Sequence, residues 1–375
     1  MEIKSFETEH FFAQYEFNTP YQLCNSDCET VSTAELLDMA DMSLDQLGGM
    51  RLGYTESMGN PHLREMIAAG YPKNVGVDDV FVLGTPVEGI YLAARAALNP
   101  GDEVVVLTPA YDALINMFEH VVGEDNVKKW AFVAGDGRWE LHLDDLRALI
   151  TPKTKMVVVN FPHNPTGYLP TPEQQAALVE IIEAHNLWLF YDEMYYGLVH
   201  SDTPEIPSAC ELSDRAIVLS GLSKTYGLPG LRTGWMVVRD PELRANIFNW
   251  KFYTSICPPA PSEFLAIAAL RAREQLRLKN IEIIEKNLDL ADQFFARHAE
   301  LFTWRRPHAG STALVGMNVP STAAYSAKLA EDAGVLIQSA EMLGSDDRHI
   351  RMGFGRVAFG EALAKFEEYL LDQYK

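Results

Sequence analysis

Between residues 79 and 238, short apolar runs alternate with longer amphipathic runs, and this alternation constrains the fold more than any other feature. The short runs are rich in β-branched and aromatic residues and predict strands, whereas the longer runs predict helices. Strands separated by helices indicate parallel crossover units, whose strands end at one edge of a sheet. The predicted strands are Asp79–Leu83, Glu103–Leu107, Lys155–Asn160, Trp188–Tyr191, Ala216–Leu219 and Trp235–Val238, and the predicted helices are Glu88–Leu98, Ala113–Val121 and Glu173–His185.

The last third of the chain has a different pattern. Pro258–Glu300 interleaves charged residues with leucine and isoleucine and predicts long helices, and Gly360–Tyr374 predicts a final amphipathic helix. We therefore expect an α/β protein in three parts. Residues 1–45 form an N-terminal segment that joins the small domain. Residues 46–245 form a large domain with a mainly parallel sheet flanked by helices, and 246–375 form a long helical linker and a smaller α+β domain.

The 375-residue chain carries a formal net charge of −21, which argues against some classes of partner. Nucleic acids and anionic membranes are polyanions that a strongly acidic surface repels, so we expect neither as a partner. The first ten residues lack the apolar stretch of a targeting signal. Four scattered cysteines predict reduced thiols in a cytoplasmic protein, and we expect no metal site: Cys24, Cys28, Cys210 and Cys257.

The run Ser220–Trp235 contains a single lysine, Lys224, several glycines, and Arg232 eight residues after the lysine. A lysine among glycines usually marks a solvated loop, but this one lies between two predicted strands and close to an arginine. A lysine amine forms an imine with an aldehyde, and a guanidinium group binds a phosphate through two hydrogen bonds. The pair therefore indicates a cofactor that carries both an aldehyde and a phosphate.

Further motifs occur in order around this lysine: Asn-Pro-Thr-Gly at 164–167, Asp-Glu-Met-Tyr at 192–195, Ser-Lys at 223–224 with Arg232, and a late Arg351. Asn-Pro-Thr-Gly alone is typical of many turns, whereas the four motifs together are specific. From about Tyr54 to its end the chain resembles the class I and II aminotransferases of pyridoxal 5′-phosphate (PLP) fold type I. The resemblance implies a PLP enzyme for amino acids and 2-oxo acids, and a homodimer with shared active sites.

The resemblance also implies three catalytic residues. Lys224 would hold PLP as a Schiff base and then act as general acid and base at the substrate Cα. Asp192 would keep the pyridine nitrogen protonated, although an aspartate directly after a strand is also typical of a helix N-cap. Tyr195, with Asn164, would hydrogen-bond the phenolic oxygen. Tyr196 also offers a hydroxyl, and only the family spacing favours Tyr195.

Further binding residues follow from the same resemblance. Tyr111 would stack on the pyridine ring, unless it only packs the loop in which it lies. Tyr54 would reach the phosphate in the neighbouring subunit, which requires at least a dimer. Arg351, together with Asn164, would bind the substrate and form a bidentate pair with its α-carboxylate, with Arg356 as a competitor.

The phosphate-binding positions depart from the family pattern in two places. In the first loop Pro86 removes an N–H donor, so Thr85 and the amide of Val87 are the predicted phosphate contacts. Three residues before the lysine the family usually has serine or threonine, whereas this chain has Gly221. Two other serines of this loop are candidates to supply the lost hydroxyl: Ser223 and Ser220.

The N-terminal segment also departs from the family, with Tyr21–Asp27 in place of an apolar-glycine motif. This segment, together with Asn160–Pro165 and Tyr226–Arg232, is similar to capreomycidine synthase, a relative that eliminates water from a hydroxyarginine and cyclises it. The sequence leaves open transamination, elimination or cyclisation at Cβ, and a non-catalytic binding protein. The retained motifs count against the last, and an acidic residue such as Asp27 near the site would favour a cationic side chain. A nicotinamide-dependent enzyme is disfavoured because no G-x-G-x-x-G follows an early strand.

Overall fold

A computed structural model describes residues 3–201 and 203–373 of the chain. Its helices are α1 (Glu7–Tyr15), α2 (Thr33–Met39), α3 (Leu44–Gly48), α4 (Pro61–Ala68), α5 (Pro86–Ala97), α6 (Ala113–Val122), α7 (Leu143–Leu149), α8 (Pro172–Ala184), α9 (Ala209–Leu212), α10 (Pro241–Lys251), α11 (Ala260–Arg271), α12 (Arg273–Arg297), α13 (Thr322–Ala333) and α14 (Phe359–Gln373). Its strands are β1 (Tyr21–Gln22), β2 (Val80–Leu83), β3 (Glu103–Thr108), β4 (Val127–Ala131), β5 (Val133–Ala134), β6 (Trp139–Glu140), β7 (Thr154–Asn160), β8 (Trp188–Asp192), β9 (Ala216–Gly221), β10 (Gly234–Val238), β11 (Phe302–Thr303), β12 (Thr312–Met317), β13 (Val335–Leu336), β14 (Gln338–Ser339) and β15 (His349–Gly353).

The large sheet has seven strands in the order β2-β10-β9-β8-β7-β3-β4. Strands β4, β3, β7, β8 and β9 pair in parallel, while β10 runs antiparallel to both β9 and β2. The six strands and three helices predicted for this region are present, with ends that differ by no more than two residues. The α/β fold with a mainly parallel sheet is therefore confirmed. Because no α-helix separates β9 from β10, a parallel crossover between them is impossible.

The strands of this sheet are apolar on both faces because helices cover both sides. In β7, Val157 and Val159 pack into one core, and Met156 and Val158 pack into the core on the opposite face. Helices α8 and α11 contribute to the first core, and helices α5, α6 and α10 contribute to the second. Each fully buried side chain of this size contributes about 1.5–3 kcal/mol, so the two cores fix the sheet on which the site is built.

The C-terminal part contains a four-stranded antiparallel sheet in the order β11-β12-β15-β14. Phe294 of α12 and Phe366 of α14 pack against this sheet in a separate core. The exact boundaries of the three-part division remain a prediction, and Tyr374, at the end of the predicted last helix, lies outside the described residues. Among the described residues, no helix has both the length and the apolar content needed to cross a membrane.

The N-terminal segment lies along the small sheet rather than the large one. Strand β1 pairs in parallel with β13, and the amide of Gly353 donates a 2.8 Å hydrogen bond to the carbonyl of Leu23. A Cβ atom at Gly353 would lie 1.6 Å from the carbonyl oxygen of Asn25, so only glycine allows this close approach. The approach places residues 25–27 above the end of the large sheet.

Candidate active site

The candidate active site lies at the carboxyl ends of the neighbouring parallel strands β7, β8 and β9. Asn160, the last residue of β7, is in register with Asp192, the last residue of β8. The loop after β7 carries Asn164, and the loop after β9 carries Lys224. The strand order therefore brings together polar side chains that are far apart in the sequence, at the edge where α/β sheets bind ligands.

These loops open into a cavity of about 440 Å³, a size typical of small-molecule sites. Tyr54 does not line this cavity, and its side chain is 92% exposed. Ten of the residues selected from the sequence do line it: Lys224, Asp192, Asn164, Tyr195, Arg232, Tyr111, Thr85, Val87, Ser223 and Arg351.

The amine of Lys224 faces this cavity and donates a 2.8 Å hydrogen bond from Nζ to the Oγ atom of Ser26. Burial lowers the pKa of the Lys224 amine, Asp27 opposes that shift, and Arg351 adds to it. A lowered pKa increases the fraction of neutral amine at a given pH. The position and charge state of Lys224 therefore favour nucleophilic and proton-transfer chemistry.

Asp192 is almost fully buried at the end of β8, where its Oδ1 atom accepts a 2.9 Å hydrogen bond from the amide of Met194. Burial raises the pKa of Asp192 to about 7, although the Met194 amide and the Lys224 amine oppose the shift. The next α-helix begins only at Ala209, so Asp192 does not cap a helix directly after its strand. Asp192 is thus a buried carboxyl group on the wall of a ligand cavity.

Asn164 lies in the loop after β7, and Tyr195 lies in the loop after β8. The amide N–H of Asn164 donates to Oδ1 of Asn160 at 2.8 Å, and Nδ2 of Asn160 donates to the carbonyl of Asp192, also at 2.8 Å. The hydroxyl of Tyr195 is buried beside Ser26, whose side chain opposes the rise in the Tyr195 pKa that burial causes.

Arg232 and the start of α5 form a polar end of the cavity. Arg232 has a left-handed backbone (φ 50°), and its Nη2 atom donates a 2.7 Å hydrogen bond to Oγ1 of Thr85. Thr85 precedes α5 but does not cap it with its side chain, and Val87 lies in the first turn of that helix. The hydroxyl of Ser223 is buried without a partner among the described residues. A guanidinium, two hydroxyls and a helix N-terminus are groups that bind phosphate.

The two departures from the family pattern are neighbours in space. A Cβ atom at Gly221 would lie 3.0 Å from the carbonyl oxygen of Thr233 and 3.1 Å from Cγ of Pro86. The proline ring therefore lies where a serine or threonine side chain at 221 would need room. Of the two candidate substitutes, Ser223 lines the cavity, whereas the Ser220 hydroxyl donates to a backbone carbonyl at 3.2 Å.

Arg351, in β15, is 1% exposed and forms the opposite wall of the cavity. Its Nη2 atom donates to the carbonyl of Cys24 at 2.9 Å, and its Nη1 atom lies 3.5 Å from Oδ1 of Asn164. Arg356, its competitor, forms an ion pair with Asp27 at 2.6 Å. Because these partners of Arg351 are neutral while Arg356 is paired with a carboxylate, Arg351 is better able to bind an incoming carboxylate.

Tyr111 closes the cavity on the side of α1. Its hydroxyl donates a 2.7 Å hydrogen bond to Oε1 of Glu9, and its ring centroid lies 5.2 Å from that of Phe6. Burial, followed by the charge of Glu9, raises the pKa of Tyr111 above its usual range. These contacts hold the aromatic ring at the cavity wall in its neutral form.

The sequence analysis singled out Tyr21–Asp27 but missed the contribution of residues 9–16 to this cavity. Glu9, Phe12 and Glu16 line it, together with Asn25 and Ser26. Burial, followed by the charge of Asp27, raises the pKa of the Glu16 carboxyl. Two acids seven residues apart in a helical segment share one face, and this spacing was the available signal.

The comparisons with known proteins agree with this geometry. The family model for aminotransferases of class I and II matches residues 21–366. Capreomycidine synthase from Streptomyces vinaceus is 29% identical over 359 residues, which cover 94% of this chain and 90% of the synthase. An aspartate aminotransferase from Sulfolobus acidocaldarius is 30% identical over 267 residues, 68% of this chain and 64% of that protein. The crystal structure of a PLP-dependent aminotransferase from Streptococcus suis is 26% identical, with a TM-score of 0.91 and coverage of 99% of both chains.

Proposed function

The chain belongs to the class I and II aminotransferases and is a PLP-dependent aminotransferase of fold type I, and we propose that Lys224 carries its cofactor. In this proposal the enzyme moves the amino group of an L-amino acid to a 2-oxo acid. The observation that supports it is the meeting of Lys224, Asp192, Asn164, Tyr195 and Arg232 around one cavity. These five groups come from the carboxyl ends of three neighbouring strands, β7, β8 and β9, and the strand order brings them together.

The unpaired polar atoms of the cavity fit the polar groups of PLP. Arg232, Thr85, the amide of Val87 and the unpaired hydroxyl of Ser223 would hold the phosphate. The hydroxyl of Tyr195 and the side chain of Asn164, which both line the cavity, would bind the phenolic oxygen. Tyr111, held at the cavity wall, would contact the ring.

When bound, PLP supplies an electron-accepting ring that stabilises negative charge at the substrate Cα. Asp192 would face the ring nitrogen and keep a proton there, because a buried carboxylate is stabilised by a cationic partner. Lys224, with an amine pKa lowered by burial, would take the proton from the substrate Cα and return it at the cofactor carbon on the other side of the amino nitrogen. Arg351 would orient the substrate by binding its α-carboxylate through two hydrogen bonds.

We further propose that the active unit is a homodimer with shared sites. Leu52, Tyr54 and Tyr253 are 80%, 92% and 81% exposed, and exposed apolar groups of this size mark protein contacts. The hydroxyl of Thr55 donates to the carbonyl of Pro258 at 3.2 Å, which joins the two exposed segments. In a two-fold dimer Tyr54 would reach the phosphate end of the partner's cavity, since it lines no part of its own.

A cytoplasmic location is the last part of this proposal. All four cysteines are free thiols, as in proteins of reducing compartments. Burial raises the pKa of Cys24 and of Cys28 to about 12, which keeps both thiols protonated and unreactive. These cysteines therefore pack the N-terminal segment, and we assign them no redox function.

Replacement of the lysine tests the central assignment. Lys224→Arg keeps the positive charge but lacks a primary amine, and Lys224→Ala removes both. We expect wild-type protein to retain PLP after borohydride reduction and denaturation, with the label on the Lys224 peptide, and both variants to lose this label. A variant that still binds PLP covalently, or a label on another lysine, would contradict the assignment.

A second reaction at the same site is elimination or cyclisation of an amino acid with a cationic side chain. The observation that favours it is a set of acceptors in the cavity: Glu9, Glu16 and Asp27, with the buried and unpaired side-chain oxygen of Asn25. Carboxylates and an amide oxygen bind guanidinium or ammonium groups. The likeness to capreomycidine synthase leads to the same candidate.

A panel of amino acids distinguishes the two reactions. The holoenzyme is mixed with neutral, acidic and cationic amino acids, including arginine and hydroxyarginine, and the cofactor and products are analysed. Transamination converts the cofactor to its amine form and releases a 2-oxo acid. Cyclisation of hydroxyarginine releases water and a cyclic amino acid while the aldehyde form of the cofactor persists.

A further inference from the structure

The contact between Lys224 and Ser26 joins two parts of the chain that are 198 residues apart. Nζ of Lys224 donates to Oγ of Ser26 at 2.8 Å, within the range of a strong hydrogen bond. Ser26 belongs to the N-terminal segment, which lies along the small sheet, whereas Lys224 follows β9 of the large sheet. The small-domain side of the cavity therefore holds the reactive amine of the large-domain side.

The position of Ser26 is fixed by bonds on both sides of it. Its carbonyl accepts a 2.7 Å hydrogen bond from Oγ of Ser311, which is fully buried. The preceding Cys24 carbonyl is held by Arg351, and the following Asp27 is paired with Arg356. The Ser26 hydroxyl therefore lies at a fixed position, where it can hydrogen-bond the Lys224 amine.

A serine hydroxyl can bond the lysine in both of its charge states. The hydroxyl accepts a hydrogen bond from an ammonium group and donates one to a neutral amine. A lysine that carries no cofactor has a flexible four-carbon stem, and about 2 kcal/mol of rotamer entropy opposes any single position. The charged groups that act on this amine include Asp27, Arg351 and Glu9. The amine in turn opposes the rise that burial causes in the pKa values of Asp192 and Glu16.

We propose that Ser26 is a positioning residue that receives the Lys224 amine whenever substrate replaces it on the cofactor, and holds it for proton transfer at the substrate Cα. This inference rests on the proposed role of Lys224. Ser26 would act through Lys224, because its hydroxyl bonds to that amine, and it also lies beside the hydroxyl of Tyr195, where it opposes the rise in pKa that burial causes. The role would be needed in either of the two reactions considered above, since both begin with removal of the Cα proton.

The test compares Ser26→Ala with Ser26→Thr, which keeps the hydroxyl, and with Ser26→Cys, which keeps the size but bonds weakly. With the best donor of the amino-acid panel, we expect Ser26→Ala and Ser26→Cys to lower kcat by about tenfold, the size of one hydrogen bond to a charged group, with little change in KM. The isotope effect of Cα-deuterated donor should rise, because proton transfer becomes slower relative to the other steps. Ser26→Thr should restore both values.

A second readout uses the protein without cofactor. The pH dependence of acylation of Lys224 is followed by peptide mass mapping with trace acetic anhydride. We expect its midpoint to move to lower pH in Ser26→Ala, because the lost hydrogen bond stabilised the ammonium form. Ser32→Ala is the matched control: Ser32 caps α2 in the same segment, and its loss should change stability but neither the midpoint nor the isotope effect.

The outcomes separate this inference from the role of Lys224. If Ser26→Ala keeps the wild-type isotope effect, kcat and acylation midpoint, or if Ser26→Thr behaves like Ser26→Ala, Ser26 does not position the amine. If wild-type protein fails to attach PLP to Lys224, the proposed function fails instead, and the acylation midpoint still reports on the hydrogen bond. Ser26→Cys decides the question if Ser26→Ala does not fold.

Discussion

The buried carboxyl of Asp192 should make the cofactor-free protein less stable as the pH rises. Burial raises the pKa of Asp192 from 3.8 to about 7. In the unfolded chain the group titrates at its ordinary value, so between these two pKa values the folded protein holds a proton that the unfolded chain has lost. The contribution of Asp192 to stability is therefore fully present below about pH 4 and is lost as the pH rises through about 7. Asp192→Asn removes this dependence, while its amide oxygen keeps the bond to Met194.

The size of the effect follows from the two pKa values. A rise of the Asp192 pKa from 3.8 to about 7 gives a loss of about 4 kcal/mol at pH 8, of which about 1–2 kcal/mol is already lost at pH 5. The free energy of unfolding of wild-type protein relative to Asp192→Asn should therefore fall by about 2–3 kcal/mol between these pH values. Above about pH 7, the ionisation of Asp192 therefore lowers the stability of wild-type protein relative to Asp192→Asn when neither protein carries a cofactor.

Urea unfolding of both proteins without cofactor, at several pH values from about 5 to 8, measures this difference. Asp112→Asn is the matched control, because Asp112 is equally buried, lies outside the cavity, and has a pKa raised by burial to about 6. The difference in unfolding free energy between wild-type protein and Asp112→Asn should become constant at a lower pH, and added PLP should not change it. Added PLP should stabilise wild-type protein more than Asp192→Asn, because the ring nitrogen supplies the missing cationic partner.

Two results would refute this reasoning about Asp192. A difference between wild-type protein and Asp192→Asn that stays constant from about pH 5 to 8 would mean that the buried carboxyl keeps its ordinary pKa. Equal stabilisation of both proteins by PLP would mean that the carboxyl does not face the cofactor. The first result concerns the electrostatics of the empty site, and the second concerns the proposed role of Asp192.

Two further predictions concern the phosphate end and the dimer. Gly221→Ser should destabilise the protein by about 1–3 kcal/mol and weaken PLP binding, because its Cβ would press on Pro86. Adding Pro86→Ala to this variant should recover part of the lost stability. Thermal unfolding measures the stability, and PLP titration measures the binding. Tyr54→Ala should lose PLP more readily than wild-type protein. When Tyr54→Ala and Lys224→Ala are mixed in equal amounts, unfolded and refolded, about half of the random dimers are hybrids. Each hybrid has one complete site, so about a quarter of the active sites should be restored. Activity assays of the mixture check this, and an inactive mixture would contradict the shared site.

The strands of the large sheet could be predicted because their signal is local. A run such as Met156–Val159 is apolar on both faces, and such runs occur where a parallel sheet is covered on both sides. The antiparallel direction of β10 could not be read from its own residues. It depends on the loop between β9 and β10, where the chain forms only the short 3₁₀ helix Pro229–Leu231 before turning back.

The site was predictable where its residues follow strands, and not where they come from the other part of the chain. Lys224, Asp192 and Asn164 each follow a strand of the parallel sheet, so one rule about strand ends selects all three. The contact of Lys224 with Ser26 spans 198 residues and depends on the close approach of the N-terminal segment to Gly353. No local pattern reports such a contact, because it arises where the N-terminal segment meets the loop after β9.

The two departures from the family pattern, separate in the sequence, have one structural cause. Gly221 of β9 is paired with Gly234 of β10, and a Cβ atom at Gly234 would lie 2.9 Å from the same Pro86 Cγ atom that excludes a side chain at 221. The proline ring at the first turn of α5 therefore crowds side chains at 221 and 234, and the carbonyl oxygen of Thr233, 3.0 Å from a Cβ atom at 221, adds to this crowding. The ring fixes φ at the start of the helix that would face the phosphate in the proposed site, while Gly221 leaves that site without one hydroxyl. The three positions should consequently change together, and a single replacement at any of them should be harmful where a combined one is tolerated.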